Sequence, residues 1–431
     1  MEQSLAGDQR GPDRSAPVEE IVITRVGTQG DGVGDRAAGG VAYAPFTLPG
    51  ERIRAAVSGE RAEAIEVVSA SPDRVLPPCP HFGACGGCAL QHWSAGPYLL
   101  WKADLIRQAL AREGIETEIL PAFASPPGSR RRLALHARPG TPGLARLGFK
   151  ARGSWRLVEV EVCTIADPRL IAALPGLRRL AAAFLVTPKS APTLHVTWTD
   201  AGIDVDVTGV ERRKGGMSAD SHMKAAAAAA AMDAARVTQT GEMVFQARQP
   251  AVRIGRAAVA LPPGAFLQAT QQAETAMADF VVAQLAGASR AADLFCGVGT
   301  FALRLAETCR VHAADASAEA VAALASAPGG APGLKAVTTE ARDLFRRPML
   351  AQELKGFDAA VFDPPRAGAE SQAAELAKSK LPRVVGVSCN PASFARDARI
   401  LVDAGFVLER VLPVDQFLWS PHVELVGVFA R

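Results

Sequence analysis

Hydrophobic and polar residues alternate with different periods in successive parts of the chain. From Val18 to about Ala70 apolar and polar residues alternate nearly one by one, and glycines interrupt the pattern at short intervals. This period of two, broken by glycine turns, predicts short strands that close into a small β-barrel. Barrels of this size often bind RNA, and a purely structural β-module is the alternative interpretation.

A helical period follows the barrel. Between Pro97 and Gly114 apolar residues recur at spacings of three and four, which predicts an amphipathic helix. Its predicted apolar side consists of Leu99, Leu100, Leu105, Ile106, Ala109 and Leu110. Strand-like runs return from Arg130 to Val207, and the seven consecutive alanines within Lys224 to Arg236 predict another helix.

From about Arg290 buried strands alternate with helices. The predicted strands are Ala291 to Phe295, Val311 to Ala314, Ala359 to Phe362 and Val384 to Val387. The predicted helices between and after them are Phe301 to Cys309, Glu370 to Ala377 and Pro391 to Ala404. This order indicates a doubly wound, Rossmann-like α/β domain, whose ligands bind at the carboxyl ends of the strands.

The length and the pattern together predict a multidomain α/β protein. A chain of 431 residues suggests two or three domains. We expect an N-terminal OB-like β-barrel, an α+β central domain and the doubly wound domain. The predicted bounds are a disordered tail at 1–16, the barrel at 17–70, the central domain at 71–92 and 126–262, and the doubly wound domain at 93–125 and 263–431.

Composition narrows the possible classes of protein. The net charge of +3 does not by itself indicate a nucleic-acid partner, so any basic surface must be local. The sequence has no apolar run of the roughly 18 residues that a membrane helix needs, and its N-terminus lacks the apolar core of a secretory signal. Seven cysteines, an odd number, argue against a disulfide framework and favour a reduced, cytoplasmic protein.

Three cysteines are clustered in the predicted loop between Pro72 and Trp93. Cys79 is followed by Cys85 and Cys88, among glycines that allow several thiolates to converge, and Cys163 is the distant fourth candidate. Four sulfur ligands suit either zinc or an iron–sulfur cluster. Two C-x2-C pairs would favour zinc, but only one is present, so the residues alone leave both metals open.

A glycine-rich turn follows the first strand of the doubly wound domain. In the segment Asp293 to Thr300, Gly297 and Gly299 allow the backbone to approach a ligand closely at a helix N-terminus. Asp315 ends the next strand, where its carboxylate can accept hydrogen bonds from ribose hydroxyls. The turn also fits a dinucleotide site, because Ala302 occupies the third position of a G-x-G-x-x-G/A motif.

Two further strand ends carry reactive side chains. Asp363 precedes two prolines that fix the backbone and present its carboxylate at the sheet edge. Cys389 lies in Ser-Cys-Asn-Pro, where Pro391 suits the first turn of a helix. A helix N-terminus favours thiolate over thiol, so we expect an ionised, nucleophilic Cys389; a buried, inert cysteine is the alternative.

A basic stretch between Arg130 and Val158 is a candidate RNA-backbone surface. It contains eight cations and no acidic residue, with Phe149 and Trp155 available for stacking. The alternative is an exposed basic strand face. The run Arg212-Arg213-Lys214 is a second, weaker candidate.

These motifs together resemble the RNA uracil-5-methyltransferase family over nearly the whole chain. The resemblance rests on Gly264 to Gln268, Asp293 to Thr300, Asp363 to Arg366, Ser388 to Pro391 and His422-Val423-Glu424. It implies a class I S-adenosylmethionine-dependent enzyme whose barrel is a TRAM domain. The barrel and the cysteines look more like the ribosomal-RNA branch than the tRNA branch. That branch carries a [4Fe–4S] cluster on cysteines matching Cys79, Cys85, Cys88 and Cys163.

The resemblance also implies roles for individual residues. Cys389 is the expected nucleophile toward carbon 6 of uracil and Glu424 the expected base for the carbon-5 proton. The expected cofactor-binding residues, with those of the glycine turn, are Gln268, Phe295, Thr300, Asp315, Asp363, Asp293, Gly297 and Gly299. The expected partner of this cytoplasmic, monomeric protein is structured RNA, with neither DNA nor a membrane as a partner.

Two rival functions remain at this point. An RNA cytosine-5-methyltransferase usually has a second cysteine after the first proline of the earlier motif, where this chain has Pro365-Arg366. A non-catalytic iron–sulfur RNA-binding protein is the rival from another class. The presence of both Cys389 and Glu424 argues against the second rival.

Overall fold

The computed structural model describes residues 16–211 and 217–431. The tail predicted before residue 17 lies outside these ranges except for Ala16, and the basic run Arg212-Arg213-Lys214 lies outside them entirely. Within the two ranges no helix is both long enough and apolar enough to cross a membrane.

The N-terminal segment forms the predicted barrel. Its strands close in the order β1-β2-β3-β5-β4, and their inward-facing side chains, such as Ile21, Ile23 and Ile53, are buried together. Closure leaves no unpaired sheet edge in this small domain. The strands are β1 (Val18–Val26), β2 (Gly32–Asp35), β3 (Val41–Ala44), β4 (Arg52–Ser58) and β5 (Arg61–Ser69).

The cysteine-bearing loop leads into a helix and two short strands, α1 (Ala95–Arg112), β6 (Glu118–Ile119) and β7 (Phe123–Ala124). The helix is where the sequence predicts it, but its buried side differs from the prediction. Leu100 is 72% exposed, whereas Tyr98, Lys102 and Ile106, one row at spacing four, are buried. Lys102 is a polar residue within this buried row, so a search for apolar spacing alone does not find the row.

The central region is a seven-stranded sheet in the order β10-β9-β8-β11-β12-β13-β14, with helices packed on one face. Its strands are β8 (Arg132–Pro139), β9 (Ala145–Lys150), β10 (Leu157–Glu159), β11 (Thr193–Thr199), β12 (Gly202–Thr208), β13 (Arg236–Gln239) and β14 (Glu242–Gln246). Its helices are α2 (Pro168–Ala172), α3 (Leu174–Ala182) and α4 (Ala219–Ala231).

The alanine-rich helix is shifted from its predicted position. It begins earlier, because the Ser218 side chain accepts a hydrogen bond from the Ser221 N–H and caps it. It ends before Asp233, whose φ of 54° is left-handed, and Arg236 instead starts β13. Arg236 is buried in an ion pair with Asp204, a tertiary contact that helix propensity does not anticipate. Helices α2 and α3 also interrupt the strand-like region predicted from Arg130 to Val207.

The C-terminal region confirms the predicted doubly wound α/β domain. Its four predicted strands are found within one residue at each end; the helix predicted from Phe301 to Cys309 has only one α-helical turn, followed by hydrogen-bonded turns. The helices are α5 (Gln271–Gln284), α6 (Ala302–Leu305), α7 (Ala318–Ser326), α8 (Glu370–Lys378) and α9 (Pro391–Asp403). The strands are β15 (Ala251–Ile254), β16 (Ala257–Ala260), β17 (Arg290–Leu294), β18 (Arg310–Asp315), β19 (Val337–Ala341), β20 (Ala359–Phe362), β21 (Arg383–Ser388), β22 (Val407–Asp415) and β23 (Glu424–Ala430).

The sheet of this domain runs in the order β19-β18-β17-β20-β21-β23-β22-β6, with β7 also paired to β22, and carries an apolar core on each face. Strands β17 to β21 are parallel, whereas β23 is antiparallel to β21 and to β22. The first residues of β23 therefore lie at the same edge as the carboxyl ends of the parallel strands. That edge, where the strand order reverses at β17, is where ligands bind in such folds.

Candidate active site and cysteine-lined cavity

The carboxyl edge of the sheet gathers residues that are far apart in sequence. Asp315 ends β18, Asp363 follows β20 and Cys389 follows β21. Ser388 pairs with Leu425 in the antiparallel ladder, so Cys389 and Glu424 come next to each other at the end of that ladder. The reversed direction of β23 is what brings the expected base to the expected nucleophile.

The glycine turn after β17 is held in a strained conformation. Phe295 has a φ of 64°, unusual for a bulky residue and costing about 1–3 kcal/mol. The Gly297 N–H donates to the Asp315 carboxylate at 3.0 Å, which ties the turn to the end of β18. A Cβ at Gly299 would lie only 2.5 Å from Leu324, whereas one at Gly297 would enter open space. Gly297 therefore borders open space, while Gly299 is required by packing.

Asp293 lies beneath this turn rather than in the open. Its side chain is fully buried, and burial raises its pKa well above the usual range, with Asp363 and Asp315 adding to the effect. Thr300, at the other end of the turn, is also buried, at 9% exposure.

A chain of side-chain amides connects the two carboxylates of the site. Gln268 donates to Asp363 at 3.1 Å and accepts from the Gln416 amide at 2.7 Å. Gln416 also donates to Glu424 at 2.6 Å. Gln416 lies in none of the motifs that the sequence brings forward; its position directly after the buried end of β22 is the signal that could have identified it.

Both carboxylates are poor acids in this environment. Burial raises the pKa of Glu424, and the nearby Asp363 raises it further. Burial likewise raises the pKa of Asp363, with Asp315 contributing. Two neighbouring carboxylates do not readily ionise together, so a proton is retained in this pair at a pH where isolated carboxylates are ionised. Such groups are suited to exchanging protons near neutral pH.

Cys389 lies where the sequence predicts it, directly before the Asn390 cap of α9, but the helix N-terminus is not the strongest influence on its thiol. Its pKa is raised to about 11, mainly by burial and then by Glu424 and Asp363, while Arg366 opposes the shift. Burial and two carboxylates outweigh the helix N-terminus. The thiol is therefore protonated at neutral pH.

Helix α1 fixes the loop between β22 and β23. The buried Lys102 ammonium forms an ion pair with Asp415 and donates to the carbonyls of Phe417 and His422, at 3.2 and 2.6 Å. The Tyr98 hydroxyl donates to Asp415 at 2.6 Å. This loop carries Glu424 at its end, so the helix supports the position of the base.

The four cysteines of the predicted metal site line one cavity. Its volume is about 330 Å³, and Cys79, Cys85, Cys88 and Cys163 share its wall with side chains that include Arg130 and Phe417. Burial raises the pKa of Cys88 to about 12, and the other three thiols of the group add to this shift. In the described ranges no three or more His, Cys, Asp or Glu side chains converge closely enough for a single metal ion. The imidazoles of His81 and His422 line the same cavity as the four thiols.

The expected basic surface is largely taken up by internal contacts. Arg131 is buried in an ion pair with Glu274 at 2.5 Å, and Arg132 donates to the Leu267 carbonyl at 2.8 Å. Arg130 lines the cysteine cavity. Within the predicted basic stretch, these three arginines are therefore engaged in contacts inside the protein rather than on an exposed cationic face.

Two other residues of the predicted basic stretch, Arg152 and Arg156, flank a groove between the barrel and the β9–β10 turn together with Arg61. The groove has a volume of about 300 Å³ and is lined by Tyr43, Phe46 and Glu63 together with Arg61, Arg152 and Arg156. Trp155, on the same turn, is 77% exposed, and the Lys150 ammonium lies 3.7 Å from the centre of its ring. Arg152 is paired with Asp31, whereas Arg61 and Arg156 have no such acidic partner among the described residues.

Comparison with known proteins gives consistent similarities. A model of the tRNA (uracil-5-)-methyltransferase family matches residues 330–431. The chain is 60% identical to a Caulobacter vibrioides protein described as an uncharacterized RNA methyltransferase, over 96% of this chain and 100% of the relative. It is 34% identical to the 23S rRNA (uracil(1939)-C(5))-methyltransferase of Halomonas elongata, over 96% of this chain and 90% of that one.

A solved structure shares the fold. The tRNA (uracil-54, C5)-methyltransferase of Pyrococcus abyssi, in complex with S-adenosyl-L-homocysteine, matches with a TM-score of 0.68 at 21% identity. The match covers 96% of this chain and 100% of that chain, barrel and central region included.

Proposed function

Because the chain belongs to the RNA uracil-5-methyltransferase family of S-adenosylmethionine-dependent enzymes, we propose that it methylates one uridine of 23S ribosomal RNA through a covalent Cys389 adduct. The observation that carries this proposal is the antiparallel pairing of Ser388 with Leu425, which makes Cys389 and Glu424 neighbours at the ligand edge of the sheet. A nucleophile and a base at one point are what carbon-5 chemistry requires.

Cys389 activates the uracil ring by adding to it. The thiol gives its proton to water, a loss that the Arg366 guanidinium favours, and its sulfur then forms a bond to carbon 6 of uracil as the π bond between carbons 5 and 6 breaks. The added electron pair makes carbon 5 nucleophilic. Bound S-adenosylmethionine supplies the methyl group to that carbon. The target base must leave its stack to reach Cys389.

Glu424 completes the reaction as a base. It removes the proton that remains on carbon 5, the electrons of that C–H bond restore the carbon 5–carbon 6 double bond, and the bond from carbon 6 to sulfur breaks. Its raised pKa matches a group that must accept a proton near neutral pH. We assign to Asp363 a hydrogen bond to the uracil edge.

The residues around the glycine turn fit S-adenosylmethionine. The open space above Gly297 would be filled by a side chain, and the partly exposed Asp315 carboxylate retains lone pairs for ribose hydroxyls. We assign cofactor binding to Gln268, Phe295, Thr300, Asp315, Asp363, Gly297 and Gly299, with Asp293 acting through the turn.

The experiment that tests this function separates the two catalytic roles. A Glu424→Gln variant should add Cys389 to uracil and transfer the methyl group, then stall as a protein–RNA adduct that survives denaturation. A Cys389→Ala variant should form no adduct and no 5-methyluridine, yet bind S-adenosylmethionine normally. Turnover by the alanine variant would overturn the covalent mechanism, and normal turnover by the glutamine variant would overturn the role of Glu424.

The choice of ribosomal RNA rests on the Halomonas relative and on the cysteine group. Mapping 5-methyluridine in 23S ribosomal RNA and in tRNA from cells that lack the protein tests it. Loss of one ribosomal site, with tRNA unchanged, is the expected result. Loss confined to tRNA would move the assignment to the other branch of the family. We expect the protein to act as a monomer in the cytoplasm.

We also propose that Cys79, Cys85, Cys88 and Cys163 hold a [4Fe–4S] cluster that joins the cysteine loop to the central sheet. The cavity they share and the absence of acidic side chains among the described residues of its wall support this. Protein purified without oxygen should be brown and contain iron and sulfide, and serine at any of the four positions should remove both. The buried Cys309 is the matched control, because Cys309→Ser leaves the cavity untouched. Stoichiometric zinc without iron would overturn the assignment.

Within the predicted basic stretch from Arg130 to Val158, the groove beside Trp155, rather than Arg130 to Arg132, is the RNA-contacting surface that we propose. Arg61 and Arg156 offer cations for phosphates, and the exposed indole offers a stacking face for an unpaired base. A single extruded uracil provides little selectivity among many uridines, so selection must come from surfaces of this kind.

A further inference from the structure

Gln416 lies at the centre of the hydrogen bonds that surround the proposed base. Its side chain is buried, at 2% exposure, between β23, the segment before α5 and the loop that follows β22. Its amide oxygen accepts from the Ala269 backbone N–H at 2.7 Å. Its amide nitrogen donates to Glu424 at 2.6 Å and to Gln268 at 2.7 Å. Every polar atom of the amide is thus engaged.

One of these contacts fixes the orientation of all the others. A backbone N–H can only donate, so the group facing Ala269 must be the Gln416 oxygen and the group facing Glu424 must be the Gln416 nitrogen. The second hydrogen on that nitrogen then requires an acceptor, which is the Gln268 oxygen. The Gln268 nitrogen is consequently directed at Asp363, to which it donates at 3.1 Å. The backbone of Ala269 therefore sets the direction of hydrogen bonding at both carboxylates.

We propose that Gln416 is a positioning residue for the methylation reaction, which aims Glu424 at the carbon-5 proton and keeps that carboxylate available as an acceptor. The proposal rests on Glu424 being the base. Gln416 itself touches no reacting atom in this scheme. It acts by donating one N–H to the carboxylate, which leaves the other carboxylate oxygen to receive the proton.

The electrostatic effect of this bond has a definite sign. Donation from Gln416 lowers the pKa of Glu424, opposing the burial and the Asp363 charge that raise it. The other titratable group that faces Glu424 is the Cys389 thiol, whose own pKa is raised by the Glu424 charge. Removing the Gln416 N–H raises the Glu424 pKa, so the ionised base forms only at higher pH. Proton removal from carbon 5 should therefore move to higher pH and slow at neutral pH.

The experiment follows each half of the reaction separately. RNA that carries tritium on carbon 5 of uracil releases it to water only when the base acts, whereas a labelled methyl group reports methyl transfer. In a Gln416→Leu variant we expect tritium release to slow by about tenfold, less than the roughly 10²–10⁴-fold that general base catalysis contributes as a whole. Methyl transfer should be much less affected, so a methylated protein–RNA adduct should accumulate during turnover. The pH midpoint of tritium release should rise.

A Gln416→Glu variant keeps the size and the acceptor for Ala269 but places an oxygen against Glu424, so it should shift the same midpoint upward even if the leucine variant is unstable. Gln372 provides the matched control: it is equally buried, at 1% exposure, and makes two hydrogen bonds to the backbone of Met349. Gln372→Leu should lose stability without changing the pH midpoint or the adduct level.

The outcomes distinguish this inference from the function on which it rests. If Glu424→Gln traps an adduct while both Gln416 variants clear it with the wild-type pH profile, Gln416 has no positioning role and the inference is wrong. If Glu424→Gln turns over without an adduct, the assignment of the base fails first. An equal shift in Gln372→Leu would mean that the effect is one of general stability and would also overturn the inference.

Discussion

The Lys102 ammonium on α1 and the Asp415 carboxylate at the end of β22 form an ion pair from which solvent is excluded, both side chains having 0% exposure. The same ammonium donates to the carbonyls of Phe417 and His422. All three of its N–H groups are thus used on the segment that leads to Glu424. A helix from the N-terminal half of the chain thereby holds the C-terminal loop that carries the proposed base.

The first prediction concerns this pair. Lys102→Met leaves the Asp415 charge buried without its partner, which should cost about 3–5 kcal/mol of stability. A double variant, Lys102→Met with Asp415→Leu, removes both charges and should recover part of the loss. Chemical denaturation of the three proteins measures this. A double variant less stable than the single one would mean that the pair itself, rather than the stranded charge, supplies the stability.

The second prediction compares two glycines of the nucleotide turn. Gly299→Ala places a methyl group 2.5 Å from Leu324 and should destabilise the domain. Gly297→Ala meets open space, so it should cost only the ~1–2 kcal/mol of a left-handed alanine. Its methyl group enters the proposed cofactor space, so it should weaken S-adenosylmethionine binding more than it weakens the fold. Calorimetric titration of the variant with S-adenosylmethionine measures this. If Gly297→Ala binds S-adenosylmethionine with the wild-type affinity, the cofactor does not occupy this space.

The third prediction concerns the pH dependence of Cys389 reactivity. Thiolate forms as the pH rises through the pKa, here about 11, so alkylation by iodoacetamide should be slow at pH 7 and increase steeply toward pH 10. Glu424→Gln removes a neighbouring negative charge and should lower that pKa, which moves the rise to lower pH. Mass spectrometry of the Cys389 peptide follows this. Fast labelling of the wild-type residue at pH 7 would contradict this prediction and would mean that Cys389 is a thiolate, as its place at a helix N-terminus favours.

The fourth prediction separates structural from RNA-binding arginines. Removing one cation that binds a phosphate should reduce the salt dependence of RNA binding by about one unit of slope. Arg61→Ala with Arg156→Ala should therefore flatten that dependence and leave S-adenosylmethionine binding unchanged. Arg131→Met, which strands Glu274, should destabilise the protein without changing the slope. If Arg131→Met flattened the salt dependence and the double alanine variant did not, the RNA surface would lie near β8 instead.

Interpretation of the sequence succeeded where chemistry is local. The turn at Gly297 and Gly299, the strand ending before Asp363 and the cap at Asn390 all depend on residues next to each other in the chain. Their backbone conformations follow from short-range sterics and hydrogen bonding, which the sequence states directly. The same locality explains why Cys79, Cys85 and Cys88 stand out, since three thiols within ten residues are informative without any fold.

The sequence by itself therefore determined the doubly wound fold and the barrel, and it indicated which side chains are the candidate reactive groups. Tertiary structure alone decided the pKa values of these side chains and the partners that hold them in place. It made Cys389 a thiol, because burial beside Glu424 and Asp363 outweighs a helix N-terminus. It turned Arg131 inward to Glu274, and it brought Gln416 against Glu424. Charge burial and hydrogen-bond direction depend on which distant segments meet, and a linear pattern contains no distances between them.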